Sequence, residues 1–330
     1  MVLAIGLFLA GRWYWFLPLG NQAPRVITIS SGETLSSKAT QWQQQGWLPS
    51  ARLLRLQARI YGFSYLRAGE FELPANLTGP QFLRFLQEAT PLLHRLTLIE
   101  GRSLQDTLAF LATDSRLTQD IQPLTQENVA TALNLTGSPE GLFYPDTYSF
   151  QRGDKVSVVL KQAHQRLNQE LTKAWEQRAS NLPYQTPYQA LIMASIVEKE
   201  TAVAFERPII AGVFVRRLQK KMRLETDPTV IYGLGEAFHG NLTRQHLRDG
   251  SNPWNTYRHF GLPPTPIAAA GRLAIEAALH PADGDELFFV AKGDGTHYFS
   301  ATLAEHNKAV RQYQIKNRAS NYRSSPIIKE

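Results

Sequence analysis

Between residues 195 and 232 the chain reads SIVEKETAVAFERPIIAGVFVRRLQKKMRLETDPTVIY, an apolar helix pattern carrying two carboxylates and followed by a polar, Pro-punctuated loop. Helical neighbours lie three and four positions apart, so Glu198 and Glu200 face different ways. The neighbours of Glu200 are Ile196, Val197, Val203 and Ala204, all apolar, and those of Glu198 are Ala194, Ser195, Thr201 and Ala202, small or polar. Glu200 therefore has the drier surroundings. Desolvation disfavours a charged carboxylate and raises its pKa, the tuning a general acid needs near neutral pH. The same pattern admits Glu200 as an ordinary surface residue or as the partner of a buried arginine such as Arg207.

The runs ASIVEKETAV, ERPIIAGVFVRRLQKKMRLETDPTVIYGLG, NPWNTYRHFGLPPTPIAAAG and ALHPADGDELFFVAKGDGTHYFSATLAEHNKAV follow one another without a large gap. Together they resemble the YceG-like family of endolytic murein transglycosylases, over roughly Pro24 to Tyr313. The resemblance implies a membrane-anchored bacterial enzyme that cuts peptidoglycan glycan strands internally and leaves 1,6-anhydro-N-acetylmuramic acid ends. It implies Glu200, directly before Thr in EKET, as the catalytic residue; a Glu followed by Ser or Thr also resembles the catalytic pair of other lytic transglycosylases. It further implies no cofactor, and a penicillin-binding glycan polymerase as partner.

Composition agrees with an extracytoplasmic chain of more than one part. A length of 330 residues suggests two domains, and 43% hydrophobic residues suffice for packed cores. There are no cysteines, so disulfides and thiolate metal sites are excluded. Lys and Arg number 35 against 28 Asp and Glu, a net charge of +7. Such a surface suits anionic lipid and a cell wall bearing carboxylates, and equally nucleic acid. No zinc finger, RRM signature or helix-turn-helix pattern is present, so nucleic acid is not expected as a partner.

The first residues, MVLAIGLFLAGRWYWFLPLG, are apolar, interrupted by Arg12 and closed by Trp13, Tyr14, Trp15 and Phe16. A bilayer span needs about 20 apolar residues, and aromatics collect at its interface. Residues 1–20 are expected to form a single-pass anchor in the bacterial inner membrane, with the rest outside. A cleaved signal peptide is the rival, but a basic leading region and a small-residue cleavage pattern before Pro24 are missing.

The expected architecture is α+β throughout. VITIS (26–30) alternates with period two and reads as a strand ending at Ser31 and Gly32, and a helix opens after it. The stretch ITISSGETLSSKATQW resembles the start of a LysM module, a βααβ fold that binds N-acetylglucosamine chains, so residues 24–93 are expected to form a LysM-like subdomain. A strand is expected near Glu70 to Leu73, and a helix with Pro80 in its first turn. Leu96 to Leu111 repeats the strand, Gly turn and helix scheme.

Residues 94–318 are expected to form the catalytic domain, and 319–330 a flexible tail. EGLFYPDTYSF (140–150) suits a loop or edge strand whose Tyr144, Tyr148 and Phe150 either stack on sugars or fill the core. Long amphipathic helices are expected at Val156 to Ala179 and Pro208 to Lys221, the latter with Arg216, Arg217, Lys220 and Lys221 on a solvated face. Asp227 before Pro228 marks a turn. LFFVAKGDGTHYFSAT reads as a hairpin turning at Asp294-Gly295.

By the resemblance, Thr226, Asp227, Thr229 and Tyr232 orient Glu200 or hold the acetamido sugar, with Glu198, Asn255, Tyr257 and His297 as further substrate-binding candidates. Asp227 is as readily a simple turn cap. His297 and His306 lie in no metal-ligand pattern, and no metal site is expected. Glycoside hydrolases commonly use two carboxylates, whereas a lytic transglycosylase needs one that acts as acid and then base. A hydrolytic muramidase pairing Glu200 with Asp227 or Glu225, and a non-catalytic glycan-binding scaffold, remain the alternatives.

Overall fold

The structure, a computed structural model, describes residues 2–63 and 65–316. The expected tail at 319–330 lies outside the described residues. The chain divides into two compact units that do not follow a single cut. The first takes the residues up to Leu96 together with Asp114–Thr118 and Ser149–Lys155, and the second takes the remainder. The first segment of the first unit ends at Leu96, and two later segments return to it.

The first unit begins with helix α1 (Val2–Trp15), of 14 residues. At 1.5 Å per residue it is about 21 Å long, short of the roughly 30 Å of a bilayer core. Among the described residues no helix is long and apolar enough to cross a membrane. The expected anchor at 1–20 differs in a second way: Leu19 is buried in the core, and its N–H donates to Leu77 O at 2.7 Å. Its last residues belong to the folded unit.

Strand β1 (Arg25–Ile29) follows, then α2 (Leu35–Gln44), α3 (Ala51–Ile60) and β2 (Gly69–Leu73). β1 and β2 pair antiparallel, Arg25 opposite Leu73 and Ile29 opposite Gly69, which gives a βααβ order. Ile27 and Ile29 point inward at alternate positions, as strand periodicity requires. Thr34 and Ser50 cap α2 and α3 by accepting from Ser37 N and Leu53 N. Helix α4 (Gly79–Glu88) carries Pro80 in its first turn. The core gathers Trp42, Trp47 and Phe82, whose rings meet at 5.2–5.8 Å, with Leu54, Phe71, Leu83 and Leu86. Strands β3 (His94–Thr97) and β4 (Thr147–Phe150) each carry the chain from one unit into the other.

The second unit contains α5 (Leu104–Thr113), α6 (Gln126–Ala132), α7 (Val156–Glu176), α8 (Pro187–Glu200), α9 (Arg207–Gln219), α10 (Asp227–Leu234), α11 (Arg244–Arg248), α12 (Arg272–Leu279), the hairpin β5 (Phe288–Ala291) with β6 (His297–Ser300), and α13 (Leu303–Val310). Every residue of α8 from Ala190 to Val197 is buried, so this helix is enclosed on all sides rather than amphipathic. It packs against α7, α9, α10 and α12. Small residues permit the approach: Ala190 and Ala194 on α8, and Ala274, Ala277 and Ala278 on α12. The hairpin turns as expected, with Gly293 and Gly295 at φ 96° and 92° and the Asp294 carboxylate accepting from Thr296 N at 2.9 Å.

One open alternative is decided and two local expectations are corrected. Of the two roles open to Tyr144, Tyr148 and Phe150, the core-filling one holds: all three are buried, and the Tyr148 hydroxyl donates to Tyr144 O at 2.7 Å. Arg216 and Arg217 do not form a solvated face. Arg216 donates to Ala282 O and Glu286, and Arg217 to Leu287 O, Arg223 O and Leu224 O, because a guanidinium satisfies several carbonyls at once. Asp227-Pro228 does not make a turn but opens α10, with extended Thr226 as its N-cap.

Candidate active site

Helix α8 ends at Glu200, and this ending shapes the site. Thr201 is extended (φ −146°, ψ 137°), and its hydroxyl accepts from Val203 N at 3.0 Å while donating to Glu206 at 3.1 Å. A side chain that serves the backbone in this way competes with helix continuation. Val203 and Ala204 therefore are not helical neighbours of Glu200; Ala204 opens a short 3₁₀ turn instead. Ile196 and Val197 remain as its buried neighbours on α8. The dryness of Glu200 comes from the elements packed over it as much as from its own helix.

Glu200 is half-buried and receives a hydrogen bond from the Thr226 hydroxyl. Its carboxyl is pushed up to about 7, chiefly by desolvation; the Thr226 bond opposes this, and the negative charge of Asp227 adds to it. Thr226 is buried, and its N–H donates to the Thr256 hydroxyl at 3.1 Å. Thr229 donates to Thr226 O at 2.8 Å and lies 2.9 Å from the Thr256 hydroxyl. Three threonines thus lock the start of α10 beneath Glu200. Exposed Asp227 accepts from the Tyr257 hydroxyl at 2.7 Å, and burial together with the charges of Asp227 and Glu200 pushes that phenol upward.

The residues expected at the site divide into two groups. Glu200, Thr226, Asp227, Thr229 and Tyr257 come together. Asn255 is fully buried and its amide is spent on Leu247 O, His246 O and Asp249 O, while its oxygen accepts from Tyr257 N at 3.0 Å; it shapes the loop that presents Tyr257. Tyr232 turns to Glu140, donating at 3.3 Å, and meets the Trp254 ring edge-on at 5.4 Å. The His297 ring is buried, with Nδ1 2.8 Å from Glu206 and its backbone N–H donating to the same carboxylate at 2.7 Å. Glu198, expected on the polar side, is the carboxylate that pairs with Arg207, at 2.8 Å, and it also accepts from Gly271 N at 3.0 Å. That pair is buried, which the small neighbours of Glu198 did not signal.

Glu140 was not singled out by the sequence. It is fully buried, accepts from Leu104 N at 3.0 Å, from Gly141 N at 3.2 Å and from Tyr232, and desolvation pushes it up to about 7. A lone acid inside EGLFYP was the available signal. Gly233 on α10 admits the loop that follows it: a Cβ there would collide with the Asn252 side chain, which instead donates to Val230 O at 3.2 Å. A cavity of about 140 Å³ beside α7, lined by Tyr144, Glu170, Lys173 and His280 among others, includes none of the Glu200 group. Among the described residues no cluster of His, Cys, Asp and Glu is arranged to hold a metal.

An enclosed helix that ends in a carboxyl with a raised pKa, bonded by the Thr226 hydroxyl at the start of a second helix and close to a Tyr-bearing loop, is an arrangement suited to proton transfer. Residues 27–312 match the YceG-like family, and the chain belongs to that family. The endolytic murein transglycosylase of Bacillus subtilis (strain 168) is 31% identical over 310 residues, covering 87% of this chain and 84% of that protein. That of Streptococcus pneumoniae serotype 2 is 24% identical, covering 90% of this chain and 60% of its own length. In a crystal structure, a putative yceG-like protein from Listeria monocytogenes is 30% identical and superposes with a TM-score of 0.52, covering 86% of this chain and 98% of that one.

Proposed function

We propose that this chain is an endolytic peptidoglycan lytic transglycosylase with Glu200 as its acid and base. The observation that carries the reading is the Glu200 carboxyl, held up to about 7 and hydrogen-bonded by Thr226 where the chain leaves α8. In its neutral form it delivers a proton to the oxygen linking N-acetylmuramic acid to N-acetylglucosamine, and that bond breaks. The resulting carboxylate takes the proton of the muramic C6 hydroxyl as its oxygen closes on C1. No water enters, and a 1,6-anhydro end remains. Asp227, exposed and bonded by the Tyr257 hydroxyl, meets the sugar.

The cut falls within strands and ends their elongation beside a penicillin-binding glycan polymerase. The first unit, by its βααβ order, holds the glycan as a LysM-like module. The chain works at the bacterial cytoplasmic membrane, its amino-terminal segment attached there and its second unit outside. A hydrolytic muramidase would have Asp227 activate water, but that carboxylate is engaged by Tyr257, and Glu225 is engaged by Arg217 at 3.2 Å. The test is mass spectrometry of isolated glycan strands digested by the protein. Anhydro ends, lighter by one water than reducing ends, are expected internally cut from long strands; reducing ends would overturn the reading, and undigested strands would leave a scaffold.

A further inference from the structure

Helix α3, ARLLRLQARI, has more apolar and basic surface than the first unit can use. At about 100° per residue, Arg52, Arg55 and Arg59 fall within an arc of about 60°, and Leu56 and Ile60 form the adjoining stripe. Ala51, Leu54, Gln57 and Ala58 are buried on the opposite side. The outward stripe is bare: Leu56 is 49% exposed, Ile60 61% and Tyr61, just past the helix end, 52%. Exposed apolar residues gathered on one helix face and flanked by charge mark an interaction surface rather than random exposure.

Charge along this part of the sequence has one sign. From Thr34 to Gly69 the chain contains no Asp or Glu, while it contains Lys38, which pairs with Glu33 at 3.1 Å, and Arg52, Arg55, Arg59 and Arg67. Arg55 donates to the Thr40 hydroxyl at 3.0 Å, which leaves its charge unneutralised. The apolar amino-terminal helix is joined to the buried side of α3 and, through Tyr61, to the end of the outward stripe. Gln57 donates to Trp15 O at 2.8 Å, and the Trp15 indole donates to the Tyr61 hydroxyl at 3.4 Å. Trp13, Tyr14 and Phe16 stand exposed at that junction. Aromatic rings, aliphatic side chains and arginines on one surface are the combination that a headgroup layer accommodates, with rings and aliphatics at the acyl boundary and guanidinium groups on phosphate.

We propose that the outward face of α3 docks on anionic phospholipid, with Arg52, Arg55 and Arg59 on headgroup phosphates and Leu56, Ile60 and Tyr61 entering the interfacial layer. This rests on the membrane-side placement proposed above. It assigns the first unit a defined seat on the membrane, set by lipid charge as well as by the apolar amino-terminal segment.

The absence of cysteine allows a single label at a chosen position. Full-length Leu56→Cys and Glu72→Cys proteins, the latter on the exposed side of β2, are each labelled with an environment-sensitive dye and mixed with phosphatidylcholine vesicles, with and without phosphatidylglycerol. The expected result is a blue shift at position 56 that requires phosphatidylglycerol, is reversed in about 1 M salt, where the Debye length falls to about 3 Å, and is missing at position 72. Arg52→Gln with Arg59→Gln should weaken binding to phosphatidylglycerol vesicles about 10-fold or more. Vesicle-bound protein with an unshifted label at 56, or an equal shift on neutral vesicles, would overturn the proposal while leaving membrane attachment intact. A shift that grows with protein concentration in the absence of vesicles would assign the face to a second copy and overturn it too. Full-length protein that ignores every vesicle would sink the membrane placement as well.

Discussion

The hydroxyl of Thr226 donates to the carboxyl of Glu200, and it accepts no hydrogen bond from the helix that Thr226 itself introduces. An N-cap side chain ordinarily satisfies a free N–H of the first turn, a contact worth about 1 kcal/mol. Here that contact is missing while the hydroxyl proton serves the acid, and the start of α10 is secured through Thr229 and Thr256. One residue thus sets both where α10 begins and how readily Glu200 ionises.

Two substitutions beside Glu200 should move its titration in opposite directions. Thr226→Val removes a bond that favours the carboxylate, so the acid form persists to higher pH. Asp227→Asn removes a negative neighbour, so the acid form is lost at lower pH. Because the first step consumes the acid form, glycan release should decline as pH rises through about 7 in the unaltered protein. The declining limb of a pH–rate profile should shift up for the first variant and down for the second. A common direction would mean that the limb belongs to another group.

The two carboxylates of α8 should separate catalysis from stability. Glu200→Gln keeps shape and loses the proton, so turnover should drop by about 10² to 10⁴. Glu198→Gln weakens a buried pair with Arg207, and breaking such pairs costs about 3–5 kcal/mol. Its melting temperature should fall while activity per folded molecule stays near that of the parent. Glycan release assayed alongside thermal unfolding reads both, and an inactive, fully stable Glu198→Gln protein would move the acid to that position.

Stability should decline with rising pH in a window set by Glu140. Its folded-state value of about 7 lies above the ordinary 4.5, so between those limits the folded protein holds a proton that the unfolded chain releases. The contribution is fully present below about 4.5 and lost as pH rises to about 7. Glu140→Gln can keep its carbonyl on Leu104 N and Gly141 N and turn its amide to the Tyr232 oxygen. Chemical denaturation at several pH values should show a flatter profile for this variant. An unchanged slope would place the titration elsewhere, Glu200 being the next group to replace.

Truncation should be tolerated up to Tyr14, ahead of the Trp15 carbonyl that accepts from Gln57, and not beyond Asn21. Leu19 is buried, and Asn21 donates to Pro74 O at 2.8 Å. Removing a buried leucine typically costs about 2–5 kcal/mol. A protein lacking residues 1–14 should melt near the parent temperature and detach from membranes in a carbonate wash, whereas one lacking residues 1–21 should melt lower. Equal melting of both would show that Leu19 contributes nothing to the core.

The sequence determined the elements that depend on local chemistry. Alternation over Val26 to Ile29, Pro80 in a first turn, the Gly-flanked hairpin turn at Asp294 and the amphipathic span from Val156 are each written in neighbouring residues, and each is found. The spacing of Glu198 and Glu200 also separated their directions correctly. It could not say what each would meet. Arg207 reaches Glu198 across a helix break made by Thr201, and Asn255 is consumed by three carbonyls of the chain before it. His297 is drawn to Glu206 from a hairpin 91 residues away. A carboxyl's pKa depends on which dipoles and charges surround it once water is excluded, and those arrive from distant parts of the chain. Only the tertiary structure decides between an acid, an ion pair and a structural proton, because desolvation acts on the packed site and not on the residue order.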